Sequence, residues 1–127
     1  MTDETEADTR ANRIDPVLEA SGWKTTQGAR VRREVICPGR IMSGGRRGPS
    51  KTADYVFEYR GQKLAVMEAK KAGVGYTVGM GQAKDYASRL KTRFGFSSNG
   101  IGWREVDMAP GAERDSGLPF PTPDEWW

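Results

Sequence analysis

Between Ala53 and Arg60 the chain alternates without interruption, with Tyr55, Phe57 and Tyr59 on one side and Asp54, Val56, Glu58 and Arg60 on the other. A two-residue period over this length reads as a β-strand. Gly61-Gln62 supplies a turn, and Lys63 to Lys70 reads as a second strand in which Leu64, Val66, Glu68 and Lys70 share a face. The two form a hairpin, and the rest of the chain is arranged around it. Residues 5–21 place Ile14, Val17 and Leu18 at i, i+3 and i+4 with acids in the first turn and Gly22 as terminator, which predicts a helix. Pro16 removes a hydrogen bond inside it and predicts a kink or break near Asp15. Residues 29–37 predict a strand, 38–51 a long loop, 79–92 a helix carrying Met80, Ala83, Ala87 and Leu90, and 93–98 and 101–107 two short strands around Ser98-Asn99-Gly100. The order α-β-β-β-α-β-β packs naturally as one sheet with a helix on each side.

At 127 residues, 36% of them hydrophobic, the chain supports one modest core and not two domains. It has no His, and Cys37 is its one cysteine. These facts exclude a disulfide, a multi-cysteine zinc cluster, Ser-His-Asp and Cys-His catalysis and an imidazole base. Catalysis is left to carboxylates, Lys, Tyr, Ser or a bound hard metal. No apolar run is long enough to span a bilayer, and the beginning Met1-Thr2-Asp3-Glu4 is acidic where a signal peptide is basic; the compartment expected is the cytoplasm. The net charge is +3, but residues 22–51 carry eight bases against Glu34 alone. This fits a polyanionic partner such as nucleic acid, with an Arg-rich solvated loop as the other reading.

Asp54 lies near the start of one hairpin strand and Glu68-Ala69-Lys70 at the end of its neighbour, so antiparallel pairing brings both carboxylates to one end of the sheet on a common face. Two close carboxylates repel unless neutralised, and Mg²⁺ takes such oxygen ligands with water in its remaining positions. Lys70, on the face of Glu68, can hold or help deprotonate an attacking water. Together they suit phosphodiester hydrolysis. An exposed charged sheet edge is the alternative, but Leu64-Ala65-Val66-Met67 runs into the charges as a central strand emerging into a cleft does. Gln82 and Tyr86 lie at i and i+4 with Arg89 beside them, able to reach DNA near the cleavage centre or, alternatively, forming an ordinary polar face with Tyr86 packed on the sheet.

In order, Ala53-Asp54-Tyr55, Met67-Glu68-Ala69-Lys70 and Gln82-Ala83-Lys84-Asp85-Tyr86 resemble the motifs of the PD-(D/E)xK nuclease fold, in the form found at the N-terminus of the type I restriction enzyme R (motor) subunit. The last is that family's Q-x-x-x-Y; Ala53 stands where the first Pro is usual. Glu6-Ala7-Asp8-Thr9-Arg10, Ile14-Asp15-Pro16-Val17-Leu18, Gly22-Trp23, Ser98-Asn99-Gly100 and Phe120-Pro121-Thr122-Pro123-Asp124-Glu125 extend the resemblance over nearly the whole chain. It implies an α/β fold with a central mixed sheet flanked by helices, and a Mg²⁺-dependent type I site-specific deoxyribonuclease acting on double-stranded DNA, with Mn²⁺ able to substitute. Asp54 and Glu68 would be metal ligands, the Ala69 carbonyl a third, and Lys70 the water-positioning base. Gln82 and Tyr86 would be needed for cleavage. An acid of the first helix would approach the metal, Glu6 being the candidate ahead of Glu19 and Asp8.

The resemblance also implies methyltransferase and specificity subunits as partners, with ATP acting only through helicase domains outside this chain. Residues 1–108 would form the nuclease domain and 109–127 a Pro-rich linker toward them. The closing Trp126-Trp127 fits such an excised piece, or else a tail folding its aromatics back onto the sheet. DNA contacts are expected from Gln82, Tyr86, Arg89, Arg46, Arg47 and Lys51. Two motifs are decoys. The stretch from Gly45 to Thr52 is one residue from a Walker A loop but leads into a strand rather than a helix, and Gly73-Val74-Gly75 lacks a third Gly. The rival functions are a non-catalytic DNA-binding or assembly module and a free-standing nuclease of the same fold, such as a Holliday-junction resolvase.

Overall fold

The computed structural model of the chain describes residues 4–37, 39, 43–45 and 51–127. Most of the expected loop 38–51, with Arg46 and Arg47, lies outside the described residues. The N-terminal helix forms as three abutting pieces: α1 (Glu6–Thr9), a π-helical turn (Arg10–Ile14) and α2 (Asp15–Ala20). Thr5 caps α1 through a reciprocal pair of bonds with Asp8. The π turn closes where Pro16 predicts a break: the Asp15 N–H donates to the Arg10 carbonyl, five residues back. Widening the helix there gives the proline ring, in the first turn of α2, relief from the preceding turn's carbonyls without ending the helix. The helix ends at Gly22, whose φ of 87° lets the Gly22 N–H donate to the Glu19 carbonyl and the Trp23 N–H to the Leu18 carbonyl, a Schellman closure.

Six strands form one mixed sheet in sequence order: β1 (Ala29–Cys37), β2 (Lys51–Tyr59), β3 (Gln62–Ala69), β4 (Phe94–Ser98), β5 (Trp103–Asp107) and β6 (Ala112–Asp115). All neighbours are antiparallel except β3 and β4, which run parallel and are joined across α3 (Met80–Leu90). The β2–β3 hairpin turns on Arg60 and Gly61, both with positive φ, the two-residue geometry that matches strand twist. Lys51 and Thr52 enter β2, as expected, and not a phosphate-binding helix. One register detail departs from strict alternation. Phe57 pairs with Ala65 and Glu58 with Lys63, so Leu64 is an extra residue, and it packs with the Tyr55 and Phe57 cluster rather than with Val66.

The helices cover the sheet on both faces. Ile14 and Leu18 pack with Tyr55, Phe57, Met67 and Phe96, whereas Tyr86 and Ala87 of α3 pack on Ala53, Val56 and Val66. No helix among the described residues is long and apolar enough to cross a membrane.

The segment 109–127, expected as a linker, is built into this unit. It supplies β6, paired to β5, and α4 (Pro123–Trp126). Phe120 is 2% exposed, Trp126 sits against Trp23, Phe57, Phe94 and Phe96, and Trp23 Nε1–H donates to the Pro121 carbonyl at 2.9 Å. The aromatic face of the hairpin is wider than the N-terminal helix alone can cover, and this segment closes it. The tail that folds its aromatics back is the arrangement found.

Candidate active site

The β2–β3 ladder runs from Tyr59↔Gln62 to Tyr55↔Met67. Asp54 and Glu68 are the next residues on their strands, and here side chains replace backbone carbonyls as acceptors. The Ala69 N–H donates to Asp54 Oδ2 at 2.8 Å, and the Asp54 N–H donates to Glu68 Oε1 at 3.3 Å. The expected convergence of the two carboxylates is thus present, at the rim where the strands part. Glu68 is 5% exposed. Its pKa is pushed up to about 8 by burial first and the charge of Asp54 second, against which the Asp54 N–H and the Lys70 charge pull downward.

A carboxyl raised in the folded protein and ordinary in the unfolded chain loses stabilisation as pH rises. Below about 4.5 both states hold the proton; between there and about 8 the unfolded chain has released it and the folded one has not. Without metal, the wild-type protein is therefore expected to lose about 1–3 kcal/mol of unfolding free energy across this window, after discounting for solvent screening. Glu68→Gln should be flat over the same range. Urea titrations at pH 5 and pH 8.5 check it, and parallel profiles for the two proteins would contradict it.

Lys70 continues β3 outward, its N–H donating to the Ser98 carbonyl at 2.8 Å. Its Nζ donates to Gln82 Oε1 at 2.8 Å, so the strand end and the first turn of α3 meet. The approach is close: a side chain at Gly79 would stand 3.1 Å from Glu68 Cβ and 2.8 Å from Ser97 Oγ. The loop from Lys70 to Gly79 is held by three residues with no catalytic signature. Asn99 Nδ2 donates to the Val74 carbonyl at 2.7 Å. Ser97 Oγ donates to the Tyr76 carbonyl and accepts the Gly79 N–H. Thr9, fully buried, accepts the Ala72 N–H at 3.0 Å. Asn99 was legible as a turn residue and as part of the Ser98-Asn99-Gly100 resemblance, with no role assigned to it, and Ser97 carries no local signal.

The remaining expected residues divide. Ala69 is buried with its N–H committed to Asp54. Tyr86 is 4% exposed and packs in the α3 core cluster, offering DNA no surface in this arrangement; burial raises its hydroxyl pKa first, and the charge of Glu68 adds to it. Arg89 Nε donates to Asp85 Oδ1 at 3.2 Å, with the arginine side chain 11% exposed, so it belongs to an intrahelical pair rather than to an outward basic surface. Lys51 is exposed at the head of β2. Glu6 is exposed, Asp8 is engaged in the Thr5 cap and Glu19 bonds Lys24. Among the described residues no third acid joins Asp54 and Glu68 in a metal-holding group. The first helix instead sends a base: Arg10 NH1 lies 3.4 Å from Asp54 Oδ1. Two clefts, of about 240 Å³ beside Trp23 and Arg33 and about 270 Å³ beside Phe94 and Glu113, lie away from this pair.

No family model matches the chain. It is 35% identical over 133 aligned positions to the type I restriction enzyme EcoAI endonuclease subunit of Escherichia coli, covering 97% of this chain and 16% of that protein. Among solved structures, a fragment described as an HsdR subunit of a type I restriction enzyme from Vibrio vulnificus YJ016 superposes with a TM-score of 0.83 at 36% identity, over 99% of this chain and 25% of that one. The chain spans well under a third of the length of either relative. Over nearly its whole length the chain is homologous to one part of type I restriction enzyme endonuclease (HsdR) subunits.

Proposed function

We propose that this chain is the DNA-cleaving domain of a type I restriction R subunit, with a PD-(D/E)xK site that hydrolyses phosphodiester bonds of double-stranded DNA in the presence of Mg²⁺. The observation that carries the reading is the Asp54–Glu68 pair at a parting of two strands, with Lys70 beside it and held by Gln82. The donor set fits a hard divalent cation: two convergent carboxylates, one of them pushed toward neutrality by its burial and by the charge of the other, and no soft ligand. Asp54 and Glu68 would hold the ion. The Ala69 carbonyl is a further oxygen, on the strand edge whose N–H faces Asp54. Mg²⁺, or Mn²⁺ in its place, would supply charge neutralisation at the phosphate under attack.

Lys70 orients the attacking water and, as the neutral amine, accepts its proton, and Gln82 fixes where the Lys70 Nζ sits. Tyr86, buried against the same strands, sets the depth of α3 and so the position of Gln82. Lys51, with Arg46 and Arg47, would contact phosphates along the duplex. Sequence choice and delivery to the cleavage point would come from specificity and methyltransferase subunits and from ATP-driven motor domains elsewhere in a longer, cytoplasmic subunit.

Calorimetric titration of Mn²⁺ or Mg²⁺ into the wild type, Asp54→Ala and Glu68→Ala, followed by plasmid nicking, tests this reading. Binding in the wild type that disappears in both variants, together with any nicking, is the expected result. A wild type that binds no divalent ion even with DNA present would leave a non-catalytic DNA-docking module instead.

A further inference from the structure

The two oxygens of the Asp54 carboxylate have different partners. Oδ2 takes the Ala69 N–H at 2.8 Å, while Oδ1 faces Arg10 NH1 at 3.4 Å. That single long contact is unlike the paired bonds of about 2.7–2.9 Å that lock an arginine onto a carboxylate, and both side chains keep some exposure, 24% for Arg10 and 17% for Asp54. The backbone beneath Arg10 is anchored more firmly. Thr9 is buried and bonded to the loop after Lys70, Ile14 at the end of the same π turn is buried in the core, and the π turn itself begins at Arg10. A fixed backbone therefore carries a loosely held, permanently charged head.

We infer that Arg10 couples cation binding to phosphate binding: its guanidinium neutralises Asp54 while the site is empty and moves to a DNA phosphate when a divalent cation takes Asp54. The inference rests on the reading of Asp54 and Glu68 as the cation site. A guanidinium and a divalent cation on one carboxylate repel strongly at a few ångströms, so each weakens the hold of the other. Displaced from Asp54, Arg10 swings about its aliphatic stem and stays at the rim, because its backbone does not follow. A phosphate is the anion that substrate brings there, and its geometry suits the arginine fork. DNA that captures Arg10 frees Asp54 for the cation, and the cation frees Arg10 for DNA; the coupling is positive and reciprocal.

The test compares wild type, Arg10→Met and Arg10→Lys. Without DNA, calorimetry should show Arg10→Met binding Mn²⁺ about fivefold more tightly than wild type, at the lower end of usual coupling strengths. Arg10→Lys should remain close to wild type. A fluorescent duplex titrated with and without Ca²⁺ should show a gain in DNA affinity on adding the cation in wild type, and that gain should shrink in Arg10→Met. A helix merely damaged by the substitution would weaken Mn²⁺ binding rather than tighten it, and thermal melts run alongside report folding directly. Mn²⁺ affinity in Arg10→Met equal to or weaker than wild type, or an undiminished gain with Ca²⁺, overturns the assignment of Arg10 alone. Mn²⁺ binding by wild type that survives Asp54→Ala overturns the cation site, and the Arg10 coupling with it.

Discussion

Replacing Lys70 by Ala is expected to lower metal-dependent nicking of supercoiled plasmid by about 100- to 10,000-fold, the usual share of a positioned proton-transfer group, while leaving Mn²⁺ binding and the thermal midpoint near those of wild type. The separation follows from where Lys70 stands. Its side chain lies beyond the last buried residue of β3, Ala69, and makes its hydrogen bond to the exposed Gln82, so truncation opens no cavity and strands no buried partner. Glu68 and Asp54 keep their bonds to the backbone. Asp54→Ala should differ in kind by losing the cation as well as the cut. Mn²⁺ calorimetry beside single-turnover nicking of the two variants and wild type distinguishes them, and a fully active Lys70→Ala protein would remove Lys70 from the mechanism.

The largest effect on stability is expected at a residue that looks peripheral in the chain. Phe120 contacts Phe96 at 5.0 Å between ring centroids, Trp126 at 5.3 Å, Phe57 at 5.5 Å and Trp103 at 5.6 Å. Phe120→Ala removes the middle of this cluster, and the surrounding rings belong to three strands and α4 that cannot all collapse onto the gap. The cost should be about 3–5 kcal/mol, as for other buried phenylalanines, a large part of the stability of a small domain. Urea denaturation measures it. A loss below about 1 kcal/mol would mean that the segment after β5 does not belong to the cooperative unit, which would restore the linker expectation.

Local pattern carried much of this fold. The alternation in β2 and β3, the Met80, Ala83 and Ala87 spacing of α3 and the Gly22 stop each depend on residues close in sequence, and each element appears within a few residues of its expected place. The two-residue turn alone would set Asp54 opposite Met67; the extra residue Leu64 shifts the register by one and brings Glu68 to Asp54. Leu64 marks the limit of that reasoning, since a bulge reverses its face and no residue type near it announces one.

Tertiary structure decided the rest. Tyr86 and Arg89 share a polar-looking helix face in the sequence, yet one is buried against the sheet and the other is held by Asp85; which face a short helix buries depends on the surface it meets. The Pro-rich segment after Met108 has no period of its own and takes its form from an aromatic face that only the assembled sheet presents. Arg10, Thr9, Ser97 and Asn99 reach the carboxylates or the loop behind them from distant parts of the chain. Sequence by itself determined the hairpin, α3 and the residue types gathered at the hairpin's charged end, because those follow from nearest-neighbour geometry. The closing of the core by residues 109–127 and the arginine facing Asp54 follow from long-range packing, which no local period encodes.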